Sequence, residues 1–412
     1  MSKIPKLRFK EFYEEWEEKP LEKYGSLING LTYSPDNIVE NGLLVLRSSN
    51  IQNGQIAFED NVYVNLDVAK EYLTQENDIL ICVRNGSKRL IGKSLLIPKD
   101  LPKSTHGAFM TVFRGDSNKF ISHWLKTPMF FKEVHKNLGA TINSINGSNL
   151  KKFKTFFPKK QEQEKIASFL TSVDTKIEQL TRKEELLQQY KKGVMQKIFS
   201  QEIRFSPKGT SSQAQGEADD GSEFCDWEDK KLGKISDVRD GTHDSPKYYE
   251  EGYPLITSKN LLSNGNIDFK NINLIMEEDY ININKRSNVN IGDILFGMIG
   301  TIGNPVIVRS EDFAIKNVAL IKEKEKLLNK FLIHYLKSSL IEKQFYEQNT
   351  GGTQKFIALG VIRNLIIKLP TLEEQNKIAN FLSSIDNKIE QTGKQLEQTK
   401  EFKKALLQQM FV

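Results

Sequence analysis

The sequence predicts an α+β protein: two globular domains in a pseudo-two-fold arrangement, separated by two long antiparallel coiled-coil helices. Three observations lead there. Residues 158–200 return almost residue for residue as 370–412, at a constant offset of 212 from Pro158 against Pro370 to Phe199 against Phe411. An ungapped match of that length is an internal duplication. Within each copy the apolar residues step by four and three, the period of a helical seam that packs on another helix. Ahead of each copy lies a block of short β-rich segments, and the two blocks share a skeleton while their polar loops differ.

The opening phrase Pro5-Lys6-Leu7-Arg8-Phe9 is echoed by Ile203-Arg204-Phe205, and Trp16-Glu17-Glu18-Lys19-Pro20-Leu21 by Trp227-Glu228-Asp229-Lys230-Lys231-Leu232. Because the first echo follows the first repeat directly, the N-terminus is expected to continue structurally from the end of the second repeat, in a closed, circular two-fold arrangement. The expected division is a first block over 1–157, a first repeat helix over 158–205, a flexible linker over 206–226, a second block over 227–369 and a second repeat helix over 370–412. The linker assignment rests on a Ser/Gly/Gln/Asp-rich composition without apolar periodicity.

In the blocks, Leu46-Arg47-Ser48-Ser49-Asn50-Ile51 with Asn53-Gly54 matches Ile256-Thr257-Ser258-Lys259-Asn260-Leu261 with Asn264-Gly265. Each reads as a strand, a polar loop and a tight turn. Asn77-Asp78-Ile79-Leu80 parallels Gly292-Asp293-Ile294-Leu295, and both lead into glycine-punctuated stretches. Residues 120–126 match 331–337 as an amphipathic helix, and a final strand runs into the proline of each repeat. Short strands with a few helices make each block α+β.

The repeat seams are Ile166, Leu170, Val173, Ile177, Leu180 and Leu187 in the first copy and Ile378, Leu382, Ile385, Ile389 and Leu396 in the second. These are the candidate helix-pairing and assembly residues. Glu184, Lys191, Thr392, Thr399 and Lys403 interrupt the seam and are candidates for registering an antiparallel pairing. Proline at the start of each copy suits a first helical turn, where its missing N–H goes unneeded. From Ile166 to Ile198 the seam spans roughly 48 Å at about 1.5 Å per residue. A turn of DNA is about 34 to 36 Å, so domains at the two ends of such a rod would meet grooves at least a turn apart.

Composition bounds the function more weakly. A chain of 412 residues with 38% hydrophobic content holds two or three ordinary domains. No run of about 18 apolar residues and no hydrophobic signal core is present, so a soluble cytoplasmic protein without membrane partners is expected. Cys82 and Cys225 stand far apart and suggest neither a metal cluster nor a disulfide framework. A net charge of +6 permits a polyanionic partner without demanding one.

No catalytic constellation emerges: there is no His-Glu-x-x-His, no phosphate-binding Gly-x-x-x-x-Gly-Lys-Ser/Thr and no Gly-x-Ser-x-Gly. Asn304-Pro305-Val306-Ile307 lacks the second proline and aromatic of an amino-methyltransferase loop and reads as a β-turn. The glycines from Gly297 to Gly303 read as a hairpin. His123 and His334 recur at equivalent places and point to packing or capping. The side chains suited to reading bases or gripping phosphates are Arg, Lys, Asn, Gln, Ser and Thr in loops that follow strands. In the first block these are Arg47, Ser49, Asn50, Arg84, Asn85, Lys88, Arg89, Asn143 and Asn146. In the second they are Thr242, His243, Lys247, Ser258, Lys259, Asn260, Thr301, Gln354 and Lys355. Lys151, Lys152, Lys154, Lys159 and Lys160 form a basic run into the first helix, either a phosphate grip or a solvated face. No metal ligands and no catalytic residues are expected.

Two variable blocks alternating with repeats of Pro-x-x-x-Glu/Gln-Gln-x-Lys-Ile-Ala-x-Phe-Leu-x-x-x-Asp-x-Lys-Ile-Glu resemble the specificity subunits of type I restriction-modification systems, over essentially the whole chain. The resemblance implies that each block is a target recognition domain reading one half of a split double-stranded DNA sequence. It implies that the repeats form antiparallel helices that dock two modification (methyltransferase) subunits, joined by ATP-dependent restriction subunits. It also implies a non-catalytic chain without cofactors of its own, S-adenosylmethionine and ATP with Mg belonging to the partners. The alternative is a stand-alone DNA-binding regulator or coiled-coil interaction scaffold, which would bind a defined sequence and form a discrete oligomer without partners.

Overall fold

The structure is a computed structural model that describes residues 4–138, 143–205, 225–348 and 356–412. Of the expected linker, only Cys225 and Asp226 fall among them. The chain forms two compact units, Met1–Arg182 with Gly393–Val412, and Lys183–Thr392. Both unit boundaries fall inside the two long helices, Lys160–Phe199 and Leu372–Gln409. Each unit therefore owns one block and a stretch of each helix.

In the first unit one antiparallel sheet runs in the order Ser26–Asn29, Met110–Arg114, Ile79–Cys82, Ser94–Leu96. A second sheet holds Ser104–His106 parallel to Leu43–Leu46, followed by Tyr63–Val64 and Ile38–Val39. The strand Glu17–Pro20 pairs with Lys154–Phe157 and closes the block just before the long helix. The second unit repeats this topology, except that its second sheet has three strands where the first unit's has four. Asp237–Asp240, Val318–Lys322, Ile294–Gly297 and Gly303–Ile307 form the first sheet. Ala314–Ile315 lies parallel to Tyr253–Ile256, which also pairs with Asn273–Ile275, and Glu228–Lys231 pairs with Ile366–Leu369. The recurring aspartate has a shared role: Asp78 pairs with Arg114 at 2.7 Å and Asp293 with Lys322 at 2.8 Å, each pinning two neighbouring strands.

The seam residues serve two surfaces at once. In the first unit Ile166, Leu170 and Val173 share one core with Leu406 and Leu407 of the other helix, with Met410 and Phe411 just beyond its end, and with Trp16, Phe120 and Trp124 of the block. In the second, Ile378, Leu382 and Ile385 share a core with Met195, Ile198 and Phe199 and with Trp227, Phe331 and Tyr335. Leu180 and Leu396 are buried, while Ile177, Leu187 and Ile389 are partly buried. Burying one such side chain is worth about 1.5–3 kcal/mol, so block and helices are bound into one core within each unit.

Two of the polar interruptions pair across the helices. Lys403 bonds to Asp174 in the first unit, and Lys191 bonds to Asp386 at 2.5 Å in the second. The two pairs are equivalent at the offset of 212, and both fix an antiparallel register. Thr392 and Thr399 instead return their hydroxyls to Lys388 O and Gln395 O of their own helix. The expected continuation from chain end to chain start is present: Leu7 N–H donates to Gln409 O at 2.9 Å, as Ile203 N–H donates to the equivalent Lys197 O at 3.1 Å.

Three local expectations change. The helices Asn118–Trp124 and Asn329–Tyr335 are buried on nearly every side, not amphipathic, because each lies between its sheet and the long helices. Asn304-Pro305 is no turn but part of Gly303–Ile307, the edge strand of its sheet, where a proline without an N–H is tolerated. Asn53-Gly54 makes the expected tight hairpin with both residues at positive φ, whereas around Gly265 the loop is wider, closed by Leu262 N–H to Asn266 O.

Candidate nucleic-acid interface

The predicted loops converge within each unit. In the first, Asn85 Nδ2 donates to Ser48 Oγ at 3.0 Å, Asn85 N–H to Asn143 O, and Asn143 Nδ2 to Gly86 O at 2.8 Å. An isolated bridge joins Arg84 to Ser144. The second unit has the equivalent bridge, Ile299 to Phe356, and an equivalent joint made with different atoms. There Ser258 Oγ donates to Asn317 O and accepts from Met298 N–H and Ile299 N–H, while Asn317 N–H donates to Thr242 O. One frame thus carries two different polar edges.

Several residues predicted to contact DNA instead serve the frame. Asn50 is fully buried: its Oδ1 accepts from Arg47 N–H, and its Nδ2 donates to Ala57 O and Asn61 Oδ1. Asn260 is buried in the same role, accepting from Thr257 and donating to Asp268 O and Asn271 O. Ser258 is buried with its hydroxyl committed as above. With their polar atoms so used, these three cannot reach a groove. Asn146 caps the short helix Gly147–Lys151 by accepting from Ser148 N–H at 3.0 Å.

Arg47 is partly buried and pairs with Asp60 at 2.7 Å, and hydrogen bonds from Ser49 and Arg47 hold the Asp60 carboxyl below its usual range. Arg84, Lys88, Arg89, Lys247, Lys259 and Thr301 are exposed. Arg84 lies over the ring of Phe109, itself 56% exposed, a cation–aromatic pair. Thr242 Oγ1 accepts from Asp244 N–H and shapes the loop before Ser245. Gln354 and Lys355 lie outside the described residues.

His243 is the most engaged of the exposed candidates. Its Nδ1 is 2.7 Å from Asn317 Oδ1 and its Nε2 is 2.9 Å from Asp240 Oδ2. The hydrogen bonds to Asn317 and Asp240 raise its pKa above the ordinary value. Arg286 also pairs with Asp240. Sequence reasoning missed Asn317, Arg286 and Phe109; a residue between two strands that needs positive φ, as Asn317 does, was the available signal for the first.

The basic run is mostly a solvated face of its own block. Lys154 pairs with Glu18, Lys159 with Glu14, and Lys160 donates to Asp116 O. Exposed pairs of this kind are worth about 0–1 kcal/mol. His123 and His334 are buried against the long helices, with Nε2 at 3.2 Å from Thr171 Oγ1 and Ser383 Oγ respectively. Burial pushes both down to about 3, leaving them neutral packing groups. Among the described residues no cluster of His, Cys, Asp and Glu is arranged to hold a metal, and no helix is long and apolar enough to cross a membrane.

A duplicated α+β block with a hydrogen-bonded frame and interchangeable polar edges, tied to paired long helices, defines a recognition protein built in two copies. The chain belongs to the family of the type I restriction modification DNA specificity domain, which matches residues 13–188 and again 225–401. It is a type I specificity subunit with two such domains. It is 29% identical over 411 residues to the putative type I restriction enzyme MjaX specificity subunit of Methanocaldococcus jannaschii, covering 96% of this chain and 93% of that one. To the MjaVIII specificity subunit of the same organism it is 28% identical over 356 residues, covering 82% and 79%. Among solved structures, the type I restriction-modification S subunit from M. genitalium shares the fold, with a TM-score of 0.66 at 19% identity over 99% of both chains.

Proposed function

We propose that the chain is the non-catalytic DNA-specificity subunit of a type I restriction-modification complex, reading a split double-stranded target with its two blocks. The observation that carries this reading is the repeated frame: Ser48 and Ser258 hold equivalent loop joints whose outward residues differ, Arg84, Lys88 and Arg89 in one unit and His243, Lys247 and Lys259 in the other. Different exposed donors on the same frame suit two different half-sites. The Arg and Lys side chains grip phosphates or guanine edges, while His243, with both ring nitrogens engaged by Asn317 and Asp240, shapes the loop that carries Lys247. The exposed faces of the paired helices dock two modification subunits, and restriction subunits join that assembly. Adenine methylation with S-adenosylmethionine, and ATP-driven work with Mg, belong to those partners. In this reading the chain works in the cytoplasm beside the DNA.

Co-expression with the cognate modification subunit tests it. Native mass measurement should give one specificity chain with two modification chains, and that complex should methylate adenines in a bipartite motif. A specificity chain that stays free, or a complex that methylates a single uninterrupted motif, would overturn the reading.

A further inference from the structure

The two units match around the loop joint except at one corner. Gly107 N–H donates to Leu46 O at 3.0 Å and Lys316 N–H to Ile256 O at 2.9 Å, so these two residues are equivalent. Further on, Met110 pairs with Cys82 as Val318 pairs with Gly297. Between these fixed points the first unit carries Ala108 and Phe109, the second Asn317 alone. The extra residue makes room for a turn, closed by Met110 N–H to Gly107 O at 2.8 Å, that holds Phe109 at its third position.

The turn changes which atom closes the joint. Phe109 O accepts from Val83 N–H at 3.0 Å and from Arg84 N–H at 3.1 Å. In the second unit the equivalent N–H groups, of Met298 and Ile299, go to Ser258 Oγ. Phe109 is thus fixed through its backbone, while its ring is 56% exposed and belongs to neither hydrophobic core of its block. The guanidinium of Arg84 lies 5.7 Å from the ring centroid, within cation–aromatic range. Among the described residues no hydrogen bond or carboxylate engages that guanidinium, which leaves its fork of donors open at the polar edge.

We propose that Arg84 and Phe109 act as one reading element of the first block, taking a guanine and the thymine of a neighbouring base pair in the major groove. Arginine pairs bidentately with guanine O6 and N7, and an aromatic ring makes apolar contact with the thymine methyl; both features face the major groove. Neighbouring base pairs rise about 3.4 Å, so two side chains in contact reach adjacent pairs rather than distant ones. The ring also restricts the plane of the guanidinium, so less freedom is lost when the fork binds. The inference rests on the DNA-reading function proposed above and names the bases that the first block takes. The second block, with Ile299 in place of Arg84 and no turn residue in place of Phe109, reads its half by other contacts.

The test uses the complex of the full chain with its cognate modification subunit. Single-molecule sequencing of methylated adenines gives the motif, and fluorescence anisotropy then compares oligonucleotides that carry it. One half should contain a guanine beside a thymine. Replacing that thymine by deoxyuridine, which removes only the methyl, should weaken binding about fourfold, the worth of one buried methyl-sized group. Phe109→Ala should abolish that response. Replacing the G·C pair by A·T should weaken binding about tenfold, and Arg84→Ala should abolish that response in turn. Phe109→Ala keeps the carbonyl that closes the joint; should circular dichroism show it unfolded, Phe109→Gln, which keeps bulk without the apolar ring, decides in its place. A motif without neighbouring guanine and thymine, an unaltered complex indifferent to deoxyuridine, or a response retained by the matching variant would overturn the proposal. So would loss of the two-to-one assembly with Phe109→Ala, which assigns the ring to a protein partner. A complex that methylates no bipartite motif would overturn the function proposed above, and this inference with it; the other outcomes overturn this inference alone.

Discussion

Each unit anchors the start of a long helix with a buried glutamate, and the second anchor accepts from an indole and a backbone N–H that have no counterpart in the first among the described residues, so their removal has a calculable difference. Glu374, 4% exposed, accepts from Arg204 Nε at 2.8 Å, Arg204 Nη2 at 3.0 Å, Trp227 Nε1 at 2.9 Å and, more weakly, Phe205 N–H at 3.4 Å. Glu162, 2% exposed, accepts from Arg8 Nε at 2.7 Å and Nη2 at 2.8 Å, while Trp16 Nε1 has no hydrogen-bond partner among the described residues. Replacing either glutamate by leucine removes the carboxylate from a largely buried guanidinium, leaving it neutral acceptors such as Glu14 O for Arg8 and Cys225 O for Arg204, at a cost of up to about 3–5 kcal/mol. Glu374→Leu also strands the indole N–H of Trp227, adding about 1–3 kcal/mol. The expectation is therefore a loss in both units, larger in the second by at least about 1 kcal/mol. Hydrogen exchange followed by mass spectrometry measures it, because peptides around residues 162 and 374 report the opening free energy of each unit separately. Glu374→Gln, which keeps an acceptor near Trp227, should recover part of the loss. Equal losses in the two units, or losses below about 1 kcal/mol in both, would refute the reasoning.

Three further outcomes are expected. Lys191→Asp and Asp386→Lys should each destabilise the second unit, and the double variant should recover about 1–2 kcal/mol as a coupling energy in a double-mutant cycle by urea unfolding; simple additivity would remove the pair from the register. His123 and His334 stay neutral down to about pH 3 in the fold but protonate near 6.5 when unfolded. Unfolding thus takes up protons and stability falls as pH drops from 6.5 towards 3, by up to about 1.4 kcal/mol per pH unit for each histidine. His123→Phe with His334→Phe should flatten that dependence in urea titrations at pH 6, 5 and 4, and an unchanged slope would contradict the burial argument. Lys88→Ala with Arg89→Ala should reduce the slope of log affinity against log salt for the cognate complex by about two, measured by fluorescence anisotropy; an unchanged slope would place both residues off the DNA.

The duplication, the seam and the α+β blocks were legible because they are written in apolar residues whose spacing has one physical meaning. Ile166, Leu170, Ile378 and Leu382 are buried at the helix–helix contact as their period requires. The same period could not reveal that the block packs on those residues too, since a seam shared by two surfaces reads like a seam with one. The interruptions at Lys191 and Lys403 were legible as anomalies, but their partners, Asp386 and Asp174, lie far away in sequence and look like ordinary surface acids. Polar loops were the least legible. Asn50 and Asn260 close their own turns, and in sequence an asparagine in a polar loop reads the same whether it faces outward or inward.

The central claim is that the two blocks read separate halves of one target. It is tested most directly by replacing residues 227–369 with the corresponding block of a relative, co-expressing the cognate modification subunit, and mapping methylated adenines by single-molecule sequencing. One half of the bipartite motif is expected to change while the other half is retained. A motif changed in both halves, or in neither, would contradict it.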